Sequence, residues 1–332
     1  MIRQLLFGMA TMVFPGFHRA LYRRTGGTNS ARYCYAVWMR HFLWAKQADP
    51  FFNPQIVVEL GPGDSLGSGL AALLSGVKLY YALDLVPFAN LRRNVRMLDE
   101  MVQLFKNQTD IPDQHEYPRL HPVLNDYAFP NDLLPAARLR HLISAQRLEY
   151  LRWSLEHLNE PGSCIRYVAP WNRAEVCESN AVDFIFSQAV LEHVADLEST
   201  CALIFDWLKP GGLTSHQIDF TSHQTAKQWN GHWCYSDFLW RVLSGKRSYL
   251  LNRAPHSAQL VFFQKQGFQI LADVCVFKKS AVRKDRLSKR FQNLSGADLT
   301  TSGAFIQARK PVVTGVETPV HPFLVNADQS PL

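Results

Sequence analysis

The chain has 332 residues, 47% hydrophobic and 19% charged, which are the proportions of a folded protein with a sizeable core. They exclude a chain disordered throughout, and no run of 18 apolar residues suggests a helical polytopic membrane protein. Thirty-five Lys and Arg against 28 Asp and Glu give a net charge of +7. Seven of the basic residues precede the first acidic one, Asp49, so the rest of the chain carries 28 of each sign and offers no basic face for nucleic acid.

Residues 1–48 form a basic, apolar, helical segment with Arg3, Arg19, Arg23, Arg24, Arg32, Arg40 and Lys46. Pro15 and Gly16 interrupt the apolar run expected of a signal peptide, although an Arg-rich, acid-poor start also resembles an organelle presequence. Two other readings stand side by side. One is an interfacial helix within residues 1–24, with Leu5, Leu6, Phe7, Met12, Phe14 and Phe17 in lipid and arginines at phosphates, giving peripheral membrane contact. The other is a helix packed on the core with its arginines solvated.

From Gln55 the pattern alternates strand and helix. Gln55–Leu60 reads as a buried strand ending in a Gly-rich turn. A helix over Leu66–Ser75 and a strand over Val77–Leu83, ending at Asp84, follow. Residues 85–163 read as a mostly helical insertion. Strands are expected at Ile165–Ala169 and Ala181–Phe186, a helix at Leu197–Leu208, a KPGG turn at Lys209–Gly212 and a strand at Leu213–Asp219. Residues 220–266, rich in Trp, Tyr, His and Arg, read as a lid. Strands over Gly267–Phe277 and Gly303–Ala308 flank a basic helix over 282–293. The body spans 49–310, and 311–332 is a loose tail. This is an α/β chain: an open, mostly parallel, Rossmann-like sheet with an antiparallel C-terminal strand and helices on both faces.

In such sheets ligands sit at the carboxyl ends of the strands, so the residues just after each strand carry the information. Gly61 and Gly63 in Glu59-Leu60-Gly61-Pro62-Gly63-Asp64-Ser65-Leu66-Gly67 permit a tight turn and close approach of a ligand. A dinucleotide fingerprint needs Gly or Ala where Leu66 stands. Glu59 would repel a pyrophosphate but suits an ammonium group. Leu66, with the later SQAVLEHV segment over Ser187–Val194, argues against a nicotinamide-dependent oxidoreductase. Asp84, 23 residues after Gly61, is placed to accept hydrogen bonds from ribose hydroxyls, or else to cap the turn that follows.

Glu59–Gly67, Asp84, Asp183–Val194 (DFIFSQAVLEHV) and Leu208–Gly212 (LKPGG) together resemble the class I S-adenosylmethionine-dependent methyltransferases, in the family's order over roughly residues 55–219. The resemblance implies S-adenosyl-L-methionine as cofactor. Glu59, Gly61, Pro62 and Gly63 would line its methionine part. Asp84 and Leu85 would hold the ribose, and Ser187 and Gln188 would face the sulfonium. The family often has an acidic residue after the third strand for the adenine amine. Here the stretch reads Val168-Ala169-Pro170-Trp171-Asn172, making Ala169–Asn172, and Trp171 by stacking, the candidates. Ser215–His223, Tyr235-Ser236-Asp237 and Asn252-Arg253 are similar to a bacterial subgroup associated with glycan or surface-polysaccharide assembly.

Transfer to a hydroxyl needs a group to take the proton, and histidine suits that task near neutrality. His223 is the candidate base, Asp219 its orienter and His193 the alternative base. The competing reading makes His193 and the Asp219–His223 turn structural. No metal is assigned, because His216, Asp219, His223 and His232 match no standard ligand spacing. The six cysteines lack CxxC spacing and read as reduced thiols of a cytoplasmic protein, with peripheral attachment at the membrane face through residues 1–24. The expected function is methyl transfer to a small-molecule or glycan-type acceptor, at oxygen. The alternative is an inactive scaffold or membrane-docked assembly factor.

Overall fold

A computed structural model of the chain describes residues 2–14, 28–171, 174–247 and 250–312. Phe17, Arg19, Arg23, Arg24, Asn172 and the tail beyond 312 lie outside the described residues. The core is a seven-stranded sheet in the order β3-β2-β1-β4-β5-β7-β6. The strands are β1 Ile56–Leu60, β2 Leu79–Leu83, β3 Ile165–Val168, β4 Val182–Gln188, β5 Leu208–Asp219, β6 Gln269–Phe277 and β7 Thr301–Arg309. The first five are mutually parallel, and β7 runs antiparallel between β5 and β6. Chain order reverses direction between β1 and β4, so the carboxyl ends of these strands and of β2 open on one crevice.

Period-two alternation divides the strands between two cores. Val57, Tyr80, Ala82, Phe184 and Phe186 face one side. Val58, Leu60, Leu83 and Ile185 face the other, where α7 (Leu197–Trp207) and α9 (His256–Lys265) pack. The first side is covered by α2 (Ala31–Ala48), α3 (Gly67–Leu74) and α4 (Leu91–Lys106).

Residues 31–48, set apart from the body in the sequence reading, fold into it. Ser30 caps α2 by accepting from the Tyr33 amide, and every residue from Cys34 to Phe42 is buried. Burial on all sides requires cover beyond the sheet. The stretch 107–135 supplies it: the Tyr35 hydroxyl donates to the Thr109 carbonyl at 2.7 Å, and Arg40 donates to the Pro112 carbonyl at 2.7 Å and lies over the Tyr127 ring. Arg32 pairs with Glu116. Two of the early arginines are thus held by the body of the protein.

The stretch read as a mostly helical insertion contains three helices: α4, α5 (Ala136–Leu142) and α6 (Ala145–Glu156). Residues 107–135 between them are irregular, as five prolines between 112 and 135 would dictate. Lys209–Gly212 is not a turn outside the sheet. It lies within β5, whose register against β4 shifts there, with Gly211 at φ +84°. The expected basic helix over 282–293 is two short 3₁₀ turns, Lys284–Arg286 and Lys289–Phe291. Ahead of α2, α1 (Ile2–Val13) lies against α8 (Asp237–Ser244). The approach is so close that a Cβ on Gly8 would stand 2.3 Å from the Val242 carbonyl oxygen.

Candidate active site

The crevice holds a cavity of about 640 Å³. Glu59, Gly61 and Gly63 line it from β1 and its turn, Asp84 and Leu85 from β2, Trp171 from beyond β3, and Gln188 and His193 from β4 and the turn after it. Thr28, Tyr33 and Val37 contribute from the segment opening α2, and His223, Gln224, Thr225, Arg247, Leu250 and Leu251 from the region after β5.

The glycine turn is held from three sides. The Gly61 amide donates to the Leu83 carbonyl at 2.8 Å. The Thr28 hydroxyl donates to the Pro62 carbonyl at 2.8 Å. The Asp84 carboxylate accepts from the Gly63 amide at 3.2 Å and from the Leu85 amide at 2.7 Å. Gly61 sits at φ +68°, and a Cβ there would lie 2.5 Å from Val190 Cγ2, so both conformation and space demand glycine. Oδ1 also accepts a long 3.5 Å bond from the Val86 amide, which leaves Oδ2 with a lone pair for a further donor. Burial pushes its carboxyl up to about 6, the turn amides partly opposing.

Glu59 is buried, with its side chain on the α3 side of β1. The Tyr80 hydroxyl donates to Glu59 Oε2 at 2.5 Å. Tyr80 reaches it by lying flat over Gly69, where a Cβ would fall 1.9 Å from the ring. The close packing that a dinucleotide fold obtains from glycine at the position of Leu66 is obtained here at Gly67 and Gly69. Burial raises the Glu59 carboxyl to about 7. Two buried carboxylates on a glycine turn suit a ligand with an ammonium group and a ribose, which is the donor set S-adenosylmethionine presents.

Ser187 is not where the resemblance implies. It is fully buried, and its hydroxyl meets His216 Nδ1 at 2.7 Å on the face of β4 turned from the cavity. His216 Nε2 meets the Thr214 hydroxyl at 2.6 Å, which makes this histidine a core residue. Its neighbour Gln188 is turned the other way, into the cavity, and is held by His41 Nε2 at 3.2 Å and Gln217 at 3.0 Å. Pro62 also stays out of the cavity wall, contributing its carbonyl to Thr28.

The structure brings all three acid–base candidates together. His223 Nε2 lies 3.1 Å from Asp219 Oδ2, and the His193 and His223 rings are 5.1 Å apart. His223 and Gln224 occupy the left-handed region at φ +44° and +63°. Such strain in non-glycine residues concentrates at functional sites. Burial works to raise the Asp219 carboxyl, but the His223 hydrogen bond and charge and the Thr221 amide outweigh it and hold it below its ordinary value. His232 behind them is buried and pushed down to about 3 by desolvation, Arg253 and His223, so it is neutral.

Sequence reasoning passed over Glu192. It sits on the 3₁₀ turn Leu191–His193 at 3% exposure, and neither carboxylate oxygen is hydrogen-bonded. Burial drives its carboxyl well above the ordinary value, and the charge of Asp219 adds to the effect. Asn252 fixes this turn, donating to the carbonyls of Leu191 at 2.6 Å and Val194 at 2.8 Å. The aromatic residues of the expected lid do other work. Trp233 is buried and donates to the Arg253 carbonyl, Trp229 donates to the Lys279 carbonyl, and Trp240 lies under the Arg253 guanidinium. Arg253 itself is buried and bonded to Asp237. The one hint of Glu192 in sequence is its place beside His193 in LEHV.

Residues 156–215 match a family model described as a methyltransferase domain. No match was found among curated proteins. Among solved structures the chain is similar to phosphoethanolamine N-methyltransferase 2 of Haemonchus contortus, at 15% identity and a TM-score of 0.40, over 85% of this chain. The match spans 57% of the length of that protein. It is also similar to an S-adenosylmethionine-dependent methyltransferase of Methanosarcina mazei, at 13% identity, TM-score 0.40, over 79% of this chain and 94% of that one. A third is an S-adenosylmethionine-dependent methyltransferase of Mesorhizobium loti, at 13% identity, TM-score 0.38, over 81% and 97%. The strand order and the glycine turn closed over Asp84 give a Rossmann-like fold, within which residues 156–215 match the methyltransferase-domain model.

Proposed function

We propose that the protein transfers the methyl group of S-adenosylmethionine to a hydroxyl of a small-molecule or glycan-type acceptor. The observation that carries this reading is the His223–Asp219 pair at 3.1 Å, on the wall of the same cavity as Glu59, Gly61 and Asp84. When bound, the cofactor supplies an activated methyl on a sulfonium. The chain's residues do the rest. Glu59 would meet the cofactor's ammonium group and Asp84 its ribose hydroxyls, while Trp171 would offer its indole to the adenine and Gln188 would border the sulfonium end. His223, its ring oriented by Asp219, would take the proton of the acceptor hydroxyl as that oxygen accepts the methyl group.

Asp84→Ala removes two hydrogen bonds to a charged acceptor, each worth about 1.5–3 kcal/mol. Calorimetry should show cofactor affinity down by roughly a hundredfold or more. His223→Ala should retain cofactor binding and lose about 10²–10⁴ in turnover. Full turnover in both His223→Ala and Asp219→Ala would remove the pair from the chemistry.

Peripheral membrane contact is supported by the outer face of α1. Leu6, Met9, Val13 and Phe14 are exposed, as is Phe238 on the adjoining α8. No helix among the described residues is long and apolar enough to cross a membrane. We place the protein in the cytoplasm, at the membrane face, in keeping with six unpaired cysteines. Flotation with anionic vesicles should be lost on deleting residues 1–24. Flotation that survives the deletion rejects this attachment.

A further inference from the structure

Glu192 is a carboxyl group buried beside the cavity's two histidines. A buried carboxylate normally carries hydrogen bonds to each oxygen or faces a cation, since desolvating it alone costs several kcal/mol. Here neither oxygen is hydrogen-bonded. One ligand atom each of Glu192, His193 and His223 lies within 4.8 Å of the others. Donors around a tetrahedral ion stand about 3.3–3.6 Å apart, so side-chain shifts of about an ångström close the set.

We propose that Glu192, His193 and His223 bind one divalent transition-metal ion. Two imidazoles and a carboxylate are a borderline donor set, suited to Zn²⁺, Co²⁺ or Mn²⁺ rather than to Mg²⁺ or Ca²⁺, which prefer all-oxygen cages. Support from outside the ligands is built in. Asp219 holds one His223 nitrogen at 3.1 Å, the carboxylate–imidazole arrangement that fixes a metal-bound ring. Asn252 accepts no freedom in the turn that carries the other two, holding its carbonyls at 2.6 and 2.8 Å. Both histidines border the cofactor cavity, so the ion's open position faces the space where the acceptor must lie. The proposal rests on the reading of this cavity as a methyl-transfer site and alters one role in it. His223 is a ligand, and an acceptor oxygen on the ion is oriented and made more acidic by the metal, so that its proton can leave to solvent rather than to His223.

The test is a titration of tag-free, chelator-stripped, full-length protein with Co²⁺, followed by visible absorption and calorimetry, then displacement by Zn²⁺ and by Mg²⁺. One equivalent of Co²⁺ with ligand-field bands is expected, displaced by Zn²⁺ and at least tenfold less well by Mg²⁺. Glu192→Gln and His193→Ala should each weaken binding at least tenfold. His223→Ala, on an exposed loop, repeats the test should either turn variant fail to fold. S-adenosylmethionine calorimetry on the same samples separates the two readings. Cofactor binding without a cobalt signal, or a signal unchanged in the Glu192→Gln, His193→Ala double variant, overturns the metal site alone. A cobalt signal without cofactor binding overturns the methyl-transfer reading instead.

Discussion

Glu59 carries the sharpest electrostatic consequence. With its carboxyl raised to about 7 and that of Asp84 to about 6 by burial, both gain protons readily in the free protein. The anionic forms are the ones that attract an ammonium group and accept from ribose hydroxyls. Cofactor affinity should therefore weaken as pH falls from 8 through 6, measured by calorimetry at fixed ionic strength. Free-protein stability runs the opposite way. Where a folded carboxyl titrates above its unfolded value, the folded state holds more protons, so stability declines as pH rises through that interval. Tyr80→Phe would leave Glu59 Oε2 without its donor, at a cost of about 1–3 kcal/mol, and should lower both melting temperature and cofactor affinity. A variant indistinguishable from the natural protein in both would show that this bond has no role. Gly69→Ala should be worse, because a methyl there would fall 1.9 Å from a Tyr80 ring carbon and displace the ring itself.

At the scale of elements, the C-terminal sheet edge has a charge device of its own. His256 opens α9, where a cation is disfavoured by the helix dipole, yet its Nε2 lies 2.7 Å from Asp273 Oδ1 on β6. Burial opposes its protonation, but the Asp273 hydrogen bond and charge, with Cys275, prevail and raise it to about 10. A histidine raised in this way stabilises fully below its unfolded pKa near 6.5 and loses that contribution as pH rises through about 10. His256→Ala should melt lower than the natural protein at pH 6, with the gap narrowing toward pH 10. A gap that stays constant would mean that packing, not charge, joins helix to strand. The strands themselves were readable because each is a short apolar run closed by a turn residue. The helix α2 was harder, since burial on all sides leaves no amphipathic period to read. Asp84 and the glycine turn were legible as a register between two strand ends. Ser187 was not, because alternation tells which residues share a face but not which face meets the ligand. The tryptophans after β5 could be read either way for a related reason, since an indole reads alike whether its N–H meets a substrate or a buried carbonyl.

For the whole molecule, the N-terminal residues and the cavity form one body. Thr28 holds the Pro62 carbonyl, Tyr33 and Val37 line the cavity, and His41 joins Gln188 and, at 2.6 Å, Ser215. Deleting residues 1–48 should abolish folding, read as loss of a cooperative melting transition, while deleting 1–24 should leave the transition in place. Retention of cofactor binding by the longer deletion would refute the integration of α2.

The lean of α1 on α8 reaches further than packing. The Lys246 amide donates to the Thr11 hydroxyl at 3.1 Å, and the next residue, Arg247, borders the cavity and lies over the Phe7 ring. The amphipathic helix thus touches the cavity wall through one residue. Any free energy that coupled occupancy inside to adhesion outside through that contact would act equally in both directions.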